Sequence, residues 1–200
     1  MKVAVFSGSF NPMHIGHIAI VRYLLDNGGF DKVYLVVSPQ NPFKAGSDIE
    51  MNSDTRLEDA KRAIEANGLS GLVRVDDIEF DMPLPSYTIR TLDELQRREP
   101  GNSFTLVIGA DNLAKMLDWK EGERILTQYG LAVYPRVGCN MGHDRYELCL
   151  KHREYERESG NRTHRPCHIK IMKDAPVVEV SSTQIRDRMS RGENVSTLLA

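Results

Sequence analysis

Two histidines three residues apart, His14 and His17, follow the turn Phe6-Ser7-Gly8-Ser9-Phe10-Asn11-Pro12. An alternating apolar strand, Lys2 to Ser7, enters this turn. A helix with apolar positions Ile18, Val21, Leu24 and Leu25 leaves it, and Asn27-Gly28-Gly29 ends that helix, since glycine takes the left-handed conformation common at helix ends. A strand, a glycine turn and a helix start present free backbone N–H groups and the positive helix end to an anion. At this spacing both imidazoles project from one face of the first helical turn. Two imidazoles beside an N–H cradle suit a polyphosphate. Near the other end of the chain, Ser182 is expected to cap a helix, with Thr183 in its first turn and Arg186 one turn on. Hydroxyls, N–H groups and a guanidinium converging on a helix start make a second anion site. Paired with the first, it would clamp a triphosphate from both sides.

The chemistry this allows is transfer by positioning. No serine, cysteine or carboxylate stands with a base as an activated nucleophile, so a covalent intermediate is not expected. Phosphoryl-type transfer needs mainly in-line placement and charge neutralisation.

These groups must be held by a scaffold, and its elements alternate. Val33 to Val37 is a near-continuous apolar run, the pattern of a strand buried on both faces. Pro39 to Lys44 is a proline-punctuated loop. Ser53 is expected to cap a helix through Leu57, Ala60 and Ile64. Leu72 to Val75 reads as a short strand, and Thr88 to Arg98 as a helix through Ile89, Leu92 and Leu95, stopped at Pro100-Gly101. Phe104 to Ile108, Leu131 to Tyr134 and Val177 to Val180 read as further strands, and Ser182 to about Ser190 as the last helix. The alternation predicts an α/β fold, a Rossmann-like parallel sheet with helices on both faces and ligands at the carboxyl ends of its strands. The 200 residues fit one domain spanning 1–200.

The two anion motifs also carry a resemblance. Gly8-Ser9-Phe10-Asn11-Pro12 with His14-x-Gly16-His17, and Ser181-Ser182-Thr183-Gln184-Ile185-Arg186, resemble the paired signatures of the H-x-G-H nucleotidylyltransferase superfamily. Pro85-Ser86-Tyr87-Thr88, then Ile108-Gly109-Ala110-Asp111-Asn112-Leu113 and Trp119, narrow this to the bacterial nicotinate mononucleotide adenylyltransferase family, over nearly the whole chain. The resemblance implies transfer of AMP from ATP to nicotinate mononucleotide, giving nicotinate adenine dinucleotide and pyrophosphate in NAD biosynthesis. Mg2+ would accompany the ATP, bridging its phosphates and keeping most of its waters, with no protein metal cage.

The same resemblance assigns roles. His14, His17 and Arg186 are the catalytic candidates. Gly8, Ser9, Phe10, Lys44, Gly109, Asp111, Ser182 and Thr183 would hold ATP, Asp111 through a ribose. Tyr87 and Thr88 would receive the nicotinate carboxylate on backbone N–H groups, with Trp119 stacked on the pyridine ring. Lys120 departs from the aromatic residue frequent beside that tryptophan. Plainer roles stand beside these: Ser86 or Thr88 as a helix cap, Asp111 as a cap, Trp119 as packing, Lys44 as a solvated side chain.

Composition narrows the alternatives. A net charge of −2 argues against a nucleic-acid partner held by bulk positive charge. No apolar run approaches the roughly 18 residues of a membrane span. Three cysteines and a first strand in place of a leader lead to a cytoplasmic, reducing setting; a homo-oligomer is compatible with all of this. Residues 138–168 hold Cys139, Cys149, Cys167, His143, His152, His164 and His168. They contain no Cys-x-x-Cys pair and match no common zinc spacing, so no metal site is expected. Asp144 to Glu158 reads as a charged, exposed helix and Ser159 to Pro166 as a loop. The rival activities are adenylyl transfer to nicotinamide mononucleotide or pantetheine phosphate, and a non-catalytic nucleotide sensor. A fragment of an aminoacyl-tRNA synthetase fails on length and on the missing RNA-binding region.

Overall fold

The computed structural model describes residues 1–39, 52–158 and 166–200. In chain order its elements are β1 (Lys2–Gly8), α1 (Ile15–Asp26), β2 (Lys32–Val37), α2 (Ser53–Ala66), β3 (Val73–Asp76), α3 (Thr88–Arg98) and β4 (Ser103–Gly109). A 3-10 segment (Ala110–Asp118) follows, then α4 (Gly122–Arg124), which runs into a π turn (Ile125–Tyr129). β5 (Leu131–Tyr134), α5 (Met141–Glu158), β6 (Ile169–Ile171) and α6 (Ser182–Ser190) complete the order.

The six strands pair in parallel in the order β3-β2-β1-β4-β5-β6. This is the doubly wound arrangement, and the chain reverses direction of travel between β1 and β4. Side-chain alternation allots each strand to two cores. Ala4, Phe6, Val33, Leu35 and Val37 face α1 and α2, with Ile18, Val21, Leu24, Leu57 and Ile64. Val3, Val5, Tyr34, Val36, Phe104 and Leu106 face the other layer, with Ile89, Leu92, Leu113, Met116, Ile125 and Leu148. Both faces are apolar, so the strands read as unbroken hydrophobic runs. No described helix is long and apolar enough to cross a membrane.

Four expectations need correction. The alternation at Val177 to Val180 does not mark a strand; the sheet edge is β6, at Ile169–Ile171. Val177 is exposed while Val178 packs on the first core, so the period of two reports one-sided burial of an extended segment without ladder bonds. The cap of α2 is Asn52, whose side chain accepts from the Asp54 N–H, and not Ser53. The cap of α6 is Ser181, not Ser182. Nor is α5 wholly a solvated face, because its own Leu148 and His152 are buried. The predicted loop residues 40–44, Lys44 among them, lie outside the described residues, as do 159–165.

Gly122 holds the 3-10 segment in place by close approach. A Cβ there would lie 1.9 Å from the Met116 carbonyl oxygen, which is backbone and cannot swing aside. The Gly122 N–H also donates to the Trp119 carbonyl at 3.0 Å. Gly122→Ala must therefore push α4 off the turn that carries Trp119. The expected cost is about 2 kcal/mol or more, read by thermal denaturation as a fall in Tm of about 4–8 °C; an unchanged Tm would mean the turn yields freely.

Candidate active site

Two adjoining cavities open at the carboxyl end of the sheet, at the switch point between β1 and β4. One, of about 500 Å³, is lined by Pro85, Ser86, Tyr87, Thr88 and Trp119. The other, of about 580 Å³, is lined by His14, His17, Asp111, Arg136, Ser182 and Thr183. Gly8, Ser9, Asn112 and Trp119 border both, so the glycine turn is the shared wall. Residues from opposite ends of the sequence thus face one space.

The turn is built by constraint. Phe10 adopts φ +44°, a left-handed conformation unusual for an aromatic residue, and buries its ring edge-on to Phe6 (5.5 Å) and His17 (5.0 Å). With its ring so placed, Phe10 offers a ligand only backbone. Below the turn, Arg56 is 4% exposed and donates to the carbonyls of Ser9 (2.6 Å), Ser38 (2.8 Å) and Pro39 (2.8 Å). Its guanidinium satisfies three main-chain carbonyls of the turn and of the segment after β2.

His14 is the N-cap of α1 and His17 its third residue. Their rings stack at 3.6 Å, and the His14 N–H donates to His17 Nδ1 at 3.2 Å. An accepting Nδ1 carries no proton, so neutral His17 bears its proton on Nε2. His14 Nδ1 is buried with no hydrogen-bond partner among the described residues. Gly16 is required between them, because a Cβ there would sit 2.2 Å from Val178 Cγ1. Burial, then the Arg136 charge, lowers the His14 pKa from 6.5 to about 4. Burial, then His14, then Arg136, lowers that of His17 well below the usual range. Both are neutral donors at neutral pH.

The carboxyl-terminal motif docks on this turn. Ser182 Oγ donates to the Pro12 carbonyl (3.1 Å), and Arg186 Nη1 donates to the Asn11 carbonyl (2.6 Å). Ser181 caps α6 through the Gln184 N–H (3.2 Å), while Gln184 Oε1 accepts from the Ser181 N–H (2.9 Å). That frees Ser182 for the turn. Ser182 and Thr183 reach the cavity; Arg186 does not line it and acts on the Asn11 carbonyl and Thr183 Oγ1 (3.4 Å).

At the other cavity, the cap of α3 is Tyr87, whose side chain makes no cap hydrogen bond. Neither Ser86 nor Thr88 is a side-chain cap. Ser86 Oγ is buried without a hydrogen-bond partner among the described residues, at the cavity wall. Trp119 closes the 3-10 segment, whose N-cap is Gly109; Asp111 is not a cap, and its Oδ1 lies 3.5 Å from Arg136 Nε. A Cβ at Gly109 would meet the Asp111 Oδ1 at 2.3 Å, so it would displace the Asp111 carboxylate.

Three residues had escaped the sequence reading. Arg136 follows the carboxyl end of β5, where ligands of such sheets bind, and position alone could have marked it. Arg56 falls four residues before Ala60 on the buried stripe of α2. Glu79, 3% exposed, accepts from Ser38 Oγ (2.6 Å), Thr91 Oγ1 (2.8 Å) and Ser7 Oγ (3.5 Å), tying β1, β2 and α3 together at the first cavity. Only its place just past β3 hinted at this.

The lowered histidine pKa values make stability depend on pH. Between about 4 and 6.5 the unfolded chain binds more protons at these positions than the folded one, so unfolding free energy falls as pH falls. Thermal scans should give a lower Tm at pH 5 than at pH 7.5, and His14→Gln should narrow the difference. An equal pH effect in the variant would remove His14 as its source.

A cytidylyltransferase-like family model matches residues 5–188. A Bacteroides fragilis protein named "Probable nicotinate-nucleotide adenylyltransferase" is 37% identical over 198 residues, covering 99% of this chain and 87% of its own. A Flavobacterium psychrophilum protein of the same name is 35% identical, over 100% of this chain and 92% of its own. The solved Plasmodium falciparum nicotinic acid mononucleotide adenylyltransferase complexed with NaAD superposes with a TM-score of 0.73 at 13% identity, over 97% of this chain and 86% of that one, a likeness of fold. By full-length similarity to these relatives and by the match to the family model, the chain belongs to the nicotinate-nucleotide adenylyltransferases of the cytidylyltransferase-like family.

Proposed function

We propose that residues 1–200 act as one nucleotidylyltransferase domain that transfers AMP from ATP to nicotinate mononucleotide, releasing pyrophosphate. One observation carries the reading. The two phosphate-suited motifs meet across a cavity that continues into a second one, floored by the uncapped start of α3 and bordered by Trp119.

The phosphate oxygen of the mononucleotide attacks the α-phosphorus in line; the bond to the bridging oxygen breaks, and pyrophosphate leaves with the electron pair. The protein's part is placement and charge. His17 Nε2–H and His14 donate to oxygens of the α-phosphate and the leaving group, stabilising charge as it develops. Neutral imidazoles enter without desolvating a cation, and the fixed positive charge comes from Arg136. Ser182, Thr183 and the start of α6 receive the distal phosphates, with Arg186 holding the Asn11 carbonyl side of the turn. Asp111 remains placed for a ribose hydroxyl through its second oxygen.

The nicotinate ring lies against Trp119, its carboxylate on the N–H groups at Tyr87 and Thr88, with Ser86 Oγ as a further donor. Among the described residues no trio of metal ligands converges in either cavity. The donor set therefore fits magnesium carried on the triphosphate with its waters kept, where it supplies neutralisation of the phosphate charge.

Pyrophosphate release from ATP is the deciding assay. Nicotinate mononucleotide should support it better than nicotinamide mononucleotide or pantetheine phosphate. ATP binding without release under any acceptor would leave a sensor. His17→Ala should lower turnover by about 10²–10³ with the fold intact by circular dichroism; near-normal turnover would take His17 out of the mechanism.

A further inference from the structure

A second cluster of chemistry-bearing side chains lies away from both cavities. Glu123 of α4 meets His152 and Glu156 of α5, with one ligand atom from each within 4.8 Å of the others. His152 and Glu156 are four residues apart, hence neighbours on one helix face, and Glu123 comes from the element packed opposite. The His152 side chain is 4% exposed, and its Nε2 has no hydrogen-bond partner among the described residues; Glu123 Oε1 lies 3.8 Å away, beyond hydrogen-bond reach. A buried imidazole nitrogen aimed at carboxylates, but not bonded by them, is the signature of a missing shared partner. Glu123 is 29% exposed, which leaves a path from solvent.

We propose that Glu123, His152 and Glu156 form a site for one divalent transition-metal ion, with zinc the fitting case. An N/O/O set with a fourth position open to water suits zinc, whose ligands lie about 2.0–2.2 Å from the ion. Magnesium and calcium are disfavoured by the imidazole, since both prefer oxygen donors. The cysteine sulfurs are not among the converging atoms. The ion would clip α5 to α4, one turn after Trp119, and so brace the 3-10 segment from its far side. Sequence spacing could not show this, because one ligand precedes the others by about thirty residues.

The test uses the full chain, stripped with EDTA and titrated calorimetrically with ZnCl2 and, separately, MgCl2. The expected result is one zinc per chain, no competing magnesium binding, and a zinc-dependent rise in Tm. Glu123→Gln, an isosteric change at a partly exposed side chain, should weaken zinc at least tenfold, as should His152→Ala. Cys149→Ser combined with Cys167→Ser should leave it unchanged. Absence of saturable 1:1 binding overturns the proposal. So does binding that survives Glu123→Gln, or that vanishes with the two thiols.

Discussion

Everything at the site rests on the docking of α6 onto the turn after β1. Arg186 and Asn11 are 175 positions apart in the chain, and Ser182 and Pro12 are 170 apart, yet two hydrogen bonds join them. Both acceptors are backbone carbonyls of the turn, so the contact fixes the path of the main chain rather than one side chain. Val178 packs against Gly16 in the same seam, and the Ile15 N–H donates to the Leu198 carbonyl at 3.0 Å. The start of α1 is thus clamped from three directions. A phosphate cradle depends on fixed N–H directions, and here the far end of the polypeptide fixes them.

This docking also accounts for the electrostatics. Closing α6 and the 177–180 segment over His14 and His17 removes water, which favours the neutral imidazoles. Arg136 then supplies charge from just past the end of β5, paired loosely with Asp111. On the proposed reading, the arrangement divides two duties: a permanent cation to attract the triphosphate, and neutral directional donors to meet the charge that shifts during transfer. Two imidazolium ions stacked at 3.6 Å would repel each other and Arg136. Neutrality is what lets the rings lie so close.

How much of this was readable from the chain follows from which signals are local. The Thr88–Arg98 helix was legible in full, since Ile89, Leu92 and Leu95 repeat at helical spacing and proline and glycine end it. The glycine turn and both serine-rich and histidine motifs were legible because several rare residues coincide. The stretch Ala110–Tyr129 was not. Leu113 and Met116 repeat every three residues, a 3-10 period, and the following helical pieces are too short to show any period. Arg56, Glu79 and Arg136 were invisible for another reason. A single charged residue reads as solvated until tertiary structure buries it, and only the neighbours that satisfy it reveal its use.

Glu79 makes the last point about how the pyridine end discriminates. On the proposed reading, a buried carboxylate beside a cavity for an anionic ring is unfavourable in a purely Coulombic view. Three hydroxyls converge on it, however, so Ser7, Ser38 and Thr91 occupy its lone pairs where it lines the cavity. Its field opposes any loosely held anion, whereas an anion seated on the α3 N–H groups is held by directional bonds at short range. Recognition there depends on hydrogen-bond geometry more than on net charge. A ring carboxylate can align two oxygens with those N–H groups, while an amide offers one acceptor and brings its own donors against them.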